Sequence, residues 1–490
     1  MKNRNYKKIL AVVIASAAVA TTAAGVPAVS KVMSAKADSE TATSTSQSTD
    51  SSDNKSQNSD NKQPPQMSDG QTPPDKPGED NSNGGGQKPG GGESTSVTYS
   101  SATTFKKSKT TKNKTYSSKK SGQNAVTATG SSTKVTLKKA KITKTGSSSG
   151  GDSDNFYGTN SAALAKDGAV LTIKNSTIKT TADGANGTFA YGGNGAQNGA
   201  AGDGSTIKIS NSKITTTGNN AGGIMTTGGG TTYATNLTVK TSGTSSAAIR
   251  SDRGGGTVRV NKGTYTTSGT GSPAIYCTSD TSVKNAKLES KASEGIVIEG
   301  KNTVTLKNTK LTANNTKLNG QATTYQAVML YQSMSGDSAK GTAEFSATGG
   351  SITNKNGSVF YVTNTTANID LNNVKITNKD SDNVLLKVAA GAWGTSGKNG
   401  GTVTLTAKKQ TLSGNITVDD VSSLTMKLTK KSSFTGTINS GKQEGTVDVT
   451  VEKGSTWTLT GDSYVSSLTN KGTINTNGHT LYVNGVAYKG

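Results

Sequence analysis

The chain has 490 residues, of which only 29% are hydrophobic and 60 are glycine, and its formal net charge is +23. So little apolar material excludes a single large globular core and leaves either disorder or a repeat fold of many small layers. The one cysteine, Cys277, excludes an intrachain disulfide, and we expect it to be a small buried residue.

The first residues have the pattern of a secretory signal peptide. A basic start over 1–8 precedes an apolar run over 9–20, and the small-x-small tripeptide Ala-Lys-Ala follows at 35–37. We therefore interpret 1–37 as a signal peptide. The sequence has no later apolar run long enough to span a membrane and no wall-sorting motif near residue 490, so we expect a secreted protein held non-covalently at the cell surface.

Two polar segments follow the signal peptide. Residues 38–100 are rich in Ser, Asp, Asn, Gln, Pro and Gly and carry a net charge of −6, which predicts a disordered acidic spacer. Residues 101–133 are polybasic, and they are either an electrostatic anchor on the wall or a solvated linker. The candidate wall-anchoring residues are Lys106, Lys107, Lys109, Lys112, Lys114, Lys119 and Lys120.

The remainder of the chain is strongly basic and is expected to seek polyanions. Residues 101–490 carry a net charge of +23. Outside a Gram-positive cell, the partners that this charge favours are anionic wall polymers of the teichoic acid type and acidic glycans. We do not expect specific nucleic-acid binding.

From about Val135 the chain repeats a short β-branched run followed by Asn-x-x-aliphatic. The anchors with asparagine are Asn175, Asn211, Asn236, Asn261, Asn285, Asn308 and Asn373. The steps from Asn211 to Asn308 are 25, 25, 24 and 23 residues. A period in this range is the signature of a stacked repeat architecture.

Each period divides into three strands. In one unit these strands cover 257–260, 263–268 and 273–278, with polar and apolar residues alternating. We therefore predict an all-β fold, a right-handed parallel β-helix over 134–490 with three strands per turn and about 12–13 turns. We also expect Asn211, Asn236, Asn261 and Asn285 to stack into a hydrogen-bonded ladder.

The pattern resembles the right-handed, pectate-lyase-like β-helix proteins. It is most similar to the non-catalytic β-helix surface proteins of Gram-positive bacteria, including lactobacilli, that serve in adhesion or aggregation. The likeness rests on the Asn-x-x-aliphatic repeats, the Gly-rich turn at 249–256 and the segment 331–337, and it covers about 135–490. It implies the fold; the same fold hosts both enzymes and binding proteins.

We expect no catalytic or metal-binding residues and no cofactor. Three arginines follow the signal peptide, Arg250, Arg253 and Arg259, and the only histidine, His479, lies in the last repeat. The paired carboxylates that glycoside hydrolysis needs are not evident, because the side chains of adjacent Asp419 and Asp420 should diverge. A polysaccharide lyase or hydrolase acting on acidic polysaccharide remains the alternative.

The candidate binding site is an outward stripe on the third strand of each turn. Alternation places one column outward as Met225, Arg250, Tyr276, Val297, Met329, Phe360 and Leu385, and a second column as Thr227, Asp252, Thr278, Glu299, Tyr331, Val362 and Lys387. Arg253 lies in an adjacent turn, and long insertions beside the strand bring Trp393. Either the stripe forms a walled groove for an extended polymer, or the insertions fold over it and bury it.

These observations predict a cell-surface adhesin that promotes aggregation or attachment. Its basic solenoid would bind anionic wall polymers or glycans, or would associate with the solenoid of a neighbouring cell. Because salt screens charge beyond a Debye length of about 8–10 Å, 1 M salt is expected to release the protein from cells.

Overall fold

The protein is a right-handed parallel β-helix with three strands per turn, as the sequence predicts. The computed structural model describes residues 97–148, 151–194, 201–318, 322–442 and 444–489. The predicted signal peptide and all of the predicted spacer except 97–100 lie outside the described residues. We call the three faces of the solenoid face 1, face 2 and face 3, in the order in which the chain crosses them.

Successive turns pair in parallel, and equivalent residues stack along the solenoid axis. The register shifts once on face 3, between Val384 and Leu386, and on face 2 the sheet is interrupted between Lys375–Asn378 and Thr411–Ser413. Face 1 is built from Lys109–Lys112, Lys134–Lys138, Val170–Lys174, Thr206–Ser210, the first half of Gly230–Thr241, the first half of Gly256–Thr267, Asp280–Lys284, Thr303–Lys307, Thr342–Thr348, Thr365–Asn372, Gly401–Lys408, Ser423–Thr429, Thr446–Val451 and Ser467–Asn470. Face 2 is built from Thr115–Ser118, Lys141–Lys144, Thr177–Thr180, Lys213–Thr216, the second halves of Gly230–Thr241 and Gly256–Thr267, Lys287–Ser290, Lys310–Ala313, Ser351–Asn354, Lys375–Asn378, Thr411–Ser413, Ser433–Thr435, Thr456–Thr458 and Thr473–Asn475.

Face 3 is a 12-stranded sheet. It comprises Thr104–Phe105, Val126–Thr129, Ala163–Lys166, Thr188–Tyr191, Ile224–Thr227, Ile249–Ser251, Ile275–Cys277, Ile296–Glu299, Gln326–Tyr331, Ser358–Thr363, Val384–Val388 and Asn415–Val418. Ser100–Ser101 pairs with Gln123–Asn124 at the first turn, and Ser463–Val465, Leu481–Val483 and Val486–Ala487 form a small sheet in the last turns. The helical element within the described ranges is a π-helical turn, Ser153–Tyr157.

The core is a column of apolar side chains inside the three faces. On face 1 alternate residues of each strand point inward, as in Val135, Leu171 and Ile207, which stack in consecutive layers and are fully buried. The alternation of threonine with valine, isoleucine or leucine therefore supplies one polar outer surface and one apolar inner surface. Cys277 is buried in this core, as expected, and burial raises the pKa of its thiol.

Asparagine recurs because the turn from face 1 to face 2 requires a left-handed backbone. Asn211, Asn236 and Asn285 have φ angles of 48°, 52° and 57°. Asparagine tolerates this region better than most residues that have a Cβ atom. Lys262 takes the same place with φ 65°. Asn261 is therefore one position before the turn, and it pairs with Thr235.

This offset breaks the predicted asparagine ladder into two pairs. The Asn236 amide nitrogen donates to the Asn211 side-chain oxygen at 2.8 Å, and Asn285 donates to Asn261 at 3.2 Å. The expectation of a ladder through all four residues was wrong because Asn261 lies outside the left-handed position that Asn236 occupies.

The polybasic segment 101–133 belongs to the solenoid, which begins about one turn before residue 134. Lys109–Lys112 pairs with the next strand of face 1, and Thr115–Ser118 pairs with the next strand of face 2. Phe105 and Tyr116 supply the apolar interior of this turn, with ring centroids 6.1 Å apart. The interpretation of this segment as a linker was therefore wrong. The sequence did not reveal this turn, because two aromatic rings take the place of the aliphatic residues that mark the later turns.

Glycines stack where consecutive turns between face 2 and face 3 approach most closely. A Cβ atom on Gly243 would lie 1.8 Å from the carbonyl oxygen of Gly218, and one on Gly269 would lie 1.8 Å from that of Gly243. The obstacle is backbone, so these positions cannot accept a larger residue without separating two layers.

We therefore expect Gly243→Ala to lower the free energy of unfolding by about 2–3 kcal/mol, toward the upper end of the usual cost of overpacking. Thermal unfolding followed by circular dichroism measures this change. Ser242→Ala, at the exposed neighbouring residue, is the control. Equal melting temperatures for the two variants would rule out a steric need for glycine here.

Candidate functional site

The outer surface of face 3, where the sequence predicts a binding stripe, is covered. Nine of the predicted residues are buried: Met225, Arg250, Asp252, Tyr276, Glu299, Met329, Tyr331, Phe360 and Trp393. Arg253 and Lys387 are half-buried. The expected exposed groove along this stripe was therefore wrong, and the alternative, in which insertions fold over the stripe, describes the structure.

Two insertions cover parts of the stripe through aromatic contacts. Phe156, in the turn Ser153–Tyr157, lies beneath Arg253, whose guanidinium carbon is 4.1 Å from the ring centroid. Trp393 packs edge-on against Tyr331, with ring centroids 5.1 Å apart. Both contacts remove aromatic surface from water, which explains why an apolar stripe is compatible with so polar a chain.

The register of the later strands on face 3 differs from the predicted one. Val328 pairs with Phe360, and Met329 pairs with Tyr361. Phe360 therefore points into the core, and Tyr361 continues the outer stripe. Lys387 pairs with Tyr361 and extends over its ring, with the amine 5.7 Å from the centroid. The strand Ser358–Thr363 is buried on both sides, so alternation of polar and apolar residues cannot reveal its register.

Arg250 and Asp252 form a buried ion pair under this cover. The guanidinium donates to Asp252 at 2.9 Å, to the side-chain oxygen of Asn155 at 3.3 Å and to the carbonyl oxygen of Ser245 at 3.3 Å. Burial raises the pKa of Asp252 to about 6, so its carboxylate is ionised at neutral pH. This pair fixes the π-helical turn that carries Asn155 to the outer side of face 3.

Glu299 is a second buried carboxylate, and it fixes another insertion. It accepts hydrogen bonds from the hydroxyl groups of Tyr331, at 2.9 Å, and of Tyr276 and Ser333. Burial raises the pKa of Glu299 to about 7, and the charge of nearby Asp337 adds to the increase. Ser333 lies in the loop 332–341, which is also held by the bond from Arg253 Nε to Asp337 at 2.9 Å.

These buried groups are engaged in holding loops, which differs from the arrangement expected of a polymer-cleaving site. Arg250 and Glu299 are fully buried and hydrogen-bonded within the fold. Among the described residues, no group of three or more His, Cys, Asp or Glu side chains is placed to hold a metal ion. In the same residues no helix has the length and hydropathy needed to cross a membrane.

The corner between face 1 and face 2 carries a row of lysines, which we call the lysine ridge. Over the twelve layers from Lys109–Lys112 to Ser423–Thr429, it consists of lysines at the last residue of a face 1 strand, in the following turn, or at the first residue of a face 2 strand: Lys112, Lys114, Lys138, Lys139, Lys141, Lys174, Lys213, Lys262, Lys284, Lys287, Lys307, Lys310, Lys375, Lys408, Lys409, Lys430 and Lys431. The next turn carries Glu452 beside Lys453, and the last one carries Lys471. All of the ridge lysines are exposed except Lys408, which is half-buried. Neighbouring layers are about 4.8 Å apart, so the charges follow one another closely along the axis.

The positive charge of the lysine ridge is largely uncompensated. The ion pairs that its members make within the described residues are Lys287 with Glu289 at 3.9 Å and Lys408 with Asp370 at 3.6 Å. Both pairs are solvent-exposed and therefore weak. The strongly bound carboxylates, Asp252, Glu299 and Asp337, belong to the covered side of face 3 instead. The lysine ridge is therefore a corner at which positive charge has few carboxylate partners.

The candidate wall-anchoring lysines are distributed around the first turn. Lys112 and Lys114 belong to the lysine ridge, and Lys109 lies on face 1. Lys106 and Lys107 lie between face 3 and face 1, and Lys119 and Lys120 follow the face 2 strand. They do not form a separate arm, but two of them begin the longest basic feature of the molecule.

The sequence contains a signal for the lysine ridge beyond the spacing of the asparagine anchors. Lysine flanks the asparagine anchor in many repeats, as in Lys284-Asn285-Ala286-Lys287 and Lys307-Asn308-Thr309-Lys310. Recognising the anchor as a turn places these lysines together at one corner. The spacing of the anchors alone does not do so.

A second surface feature lies at the corner between face 3 and face 1. Two open clefts of about 550 Å³ and 320 Å³ occur there on either side of the loop 332–341. The larger is floored by glycines such as Gly229 and Gly255 and is edged by Thr278, Lys301 and Asn302. The clefts are polar and shallow, and they lie at a different corner from the lysine ridge.

The chain was compared with known proteins at three levels. No family model matches it, and neither a curated protein nor a solved structure matches it.

Proposed function

We propose that this protein is a secreted, non-enzymatic surface protein that attaches to cells, or bridges them, by binding anionic polymers. The observation that carries this proposal is the lysine ridge, a long basic corner with few carboxylate partners. A surface of this kind attracts polyanions through counterion release and long-range charge. Wall polymers of the teichoic acid type and acidic glycans are the corresponding ligands.

The sequence before the solenoid supports the surface location. The basic start, apolar run and small-x-small tripeptide of 1–37 have the order of a secretory signal. The acidic composition of 38–100 separates that signal from the basic body. A protein delivered in this way and retained by charge would promote adhesion or aggregation, because one rigid solenoid can contact polymers on two surfaces.

A polysaccharide lyase or hydrolase is the competing function, and the state of its candidate residues favours binding instead. Arg250, Asp252 and Glu299 are buried and bonded to the protein's own groups. An acid, base or nucleophile has to reach the bond that it breaks. Incubation with polyuronates is therefore expected to give no unsaturated or reducing ends above background, and turnover that is lost in Arg250→Ala would favour the enzyme.

The binding proposal is tested by reversing charge on the ridge. The ridge variant has glutamate in place of Lys284, Lys287, Lys307 and Lys310. We expect its affinity for a purified wall phosphate polymer to fall by at least about 100-fold, because the loss of four positive contacts reduces counterion release. Sedimentation with cell walls and a binding titration at low salt measure the loss. Raising the salt to 1 M should release the unmodified protein.

The matched control changes four exposed lysines outside the ridge, Lys301, Lys340, Lys355 and Lys398, to glutamate. It has the same net charge as the ridge variant. If both variants lose the same affinity, then overall charge and not the lysine ridge is responsible. Retention of the unmodified protein on walls in 1 M salt would refute attachment by charge.

A further inference from the structure

We infer that the lysine ridge binds a single linear polyanion laid parallel to the solenoid axis, with successive layers contacting successive repeats of the same chain. This inference rests on the proposed function and specifies its ligand: an extended polymer with about one negative charge per repeat unit. The monomer is a phosphodiester or a uronate, since both present that chemistry.

The first support is the geometry of the ridge. Twelve consecutive layers of face 1, from Lys109–Lys112 to Ser423–Thr429, pair in register. Ten of these layers carry a ridge lysine; the layers that begin at Gly230 and Thr342 do not. At about 4.8 Å per layer the ridge extends for about 50 Å. Each gap spans one layer, which a flexible lysine side chain from an adjacent layer can cover.

The second support is the chemistry of the ridge. Its cationic members are all lysines, and the described residues at the same turn positions include no arginine and no aromatic side chain. A lysine ammonium group is a point charge on a flexible stem, whereas arginine recognises planar groups through paired hydrogen bonds. Stacking on a sugar face needs an aromatic ring. The ridge is therefore suited to recognising the spacing and number of charges along a chain, with little dependence on the monomer.

The third support is the position of the acidic residues. Glu289 and Asp370, which pair with ridge lysines, are outward residues of a face 2 strand and a face 1 strand, so they lie to either side of the corner. Carboxylates beside the row would repel a chain that crossed the faces, and they would leave the axial path open. A polyanion along the corner thus meets cations in ten of the twelve layers, whereas one lying across the solenoid meets one or two layers.

An axial mode makes affinity depend on ligand length. Each added repeat contacts another layer, so the affinity and the salt dependence both increase until the ligand is as long as the ridge. For a flexible single chain the logarithmic salt slope is about −0.7 per contact, so the slope counts the layers in use. Beyond about 12 repeats, the number of layers, the slope should no longer change.

The experiment titrates the full-length secreted protein with glycerol-phosphate oligomers and, separately, with oligogalacturonates of about 3, 6, 12 and 24 repeats at several salt concentrations. We expect the slope to steepen from 3 to 12 repeats and then to level off, in both series. Equal slopes for 3 and 12 repeats would overturn the axial mode. Binding of only one series would overturn recognition by charge spacing.

Two double variants then locate the chain on the ridge. Lys284→Glu with Lys287→Glu interrupts the middle, and Lys112→Glu with Lys114→Glu shortens the end at the first layer. We expect the first to reduce the slope for a 12-repeat ligand to about half, and the second to reduce it by the contacts of one layer. Equal effects of the two variants would contradict a continuous axial chain.

These outcomes separate the inference from the proposed function. Failure of every anionic polymer to bind would refute both. Strong binding that is lost in the ridge variants, but without dependence on length, would preserve the proposed function and refute the axial mode. An off-ridge pair, Lys301→Glu with Lys340→Glu, controls for net charge in each measurement.

Discussion

Replacing Arg250 with methionine is expected to lower the free energy of unfolding by about 3–5 kcal/mol, the cost of leaving one partner of a buried ion pair alone. Asp252 is only 2% exposed and accepts the guanidinium at 2.9 Å. Methionine occupies a similar volume but donates no hydrogen bond, so the carboxylate of Asp252 and the side-chain oxygen of Asn155 both lose a donor. Urea unfolding followed by circular dichroism measures the change in the first cooperative transition.

The control is the same substitution at Arg259, whose pair with Asp280 is exposed at the surface. Exposed ion pairs contribute at most about 1 kcal/mol, so Arg259→Met should be nearly neutral. Arg250→Met combined with Asp252→Leu should recover much of the stability, because neither charge then remains buried without a partner. A loss in Arg250→Met no larger than that in Arg259→Met would show that the buried pair does not stabilise the covered side of face 3.

The stability of the solenoid is expected to fall as the pH rises from about 4.5 to about 7, because of Glu299. Its pKa is raised to about 7 in the folded protein from the ordinary 4.5. Between these values the folded state holds a proton that the unfolded state has released, so raising the pH favours unfolding. A difference of this size corresponds to about 3 kcal/mol. Asp252, with its pKa raised to about 6, contributes in the same direction.

Glu299→Gln tests this assignment, because glutamine retains the shape of the side chain but does not titrate. Melting temperatures at pH 5 and pH 8 should differ clearly in the unmodified protein and much less in the variant. The residual difference reports Asp252 and Glu294, whose pKa burial also raises. A pH dependence that is unchanged in Glu299→Gln would exclude Glu299 as its origin.

Much of the fold could be predicted from the sequence because period and alternation are local properties. The Asn-x-x-aliphatic anchors mark a left-handed turn, and one such turn occurs in each layer, as at Asn211 and Asn236. The inward positions of face 1 follow from alternation of threonine with aliphatic residues. The first turn escaped prediction because Phe105 and Tyr116 fill its interior among many lysines.

The candidate site was harder to predict, since the solvent exposure of an outward side chain depends on segments that are distant in sequence. Arg250 contacts Asn155, which is 95 residues away in sequence, and Arg253 contacts Asp337, which is 84 residues away. Alternation correctly places Tyr276 and Met329 on the outer side of face 3, but it carries no information about the insertions that cover them. In Ser358–Thr363 both sides are buried, so alternation also failed to distinguish Phe360 from Tyr361.

The layered construction has a consequence for how such a protein can change over generations. Each layer contacts chiefly the layers above and below it, so duplication or loss of one repeat unit leaves the remaining interfaces intact. Every duplicated unit that contains a lysine-flanked asparagine would extend the basic corner by one step. The affinity for a polymer can thus change stepwise with the number of repeat units, while each individual contact stays the same.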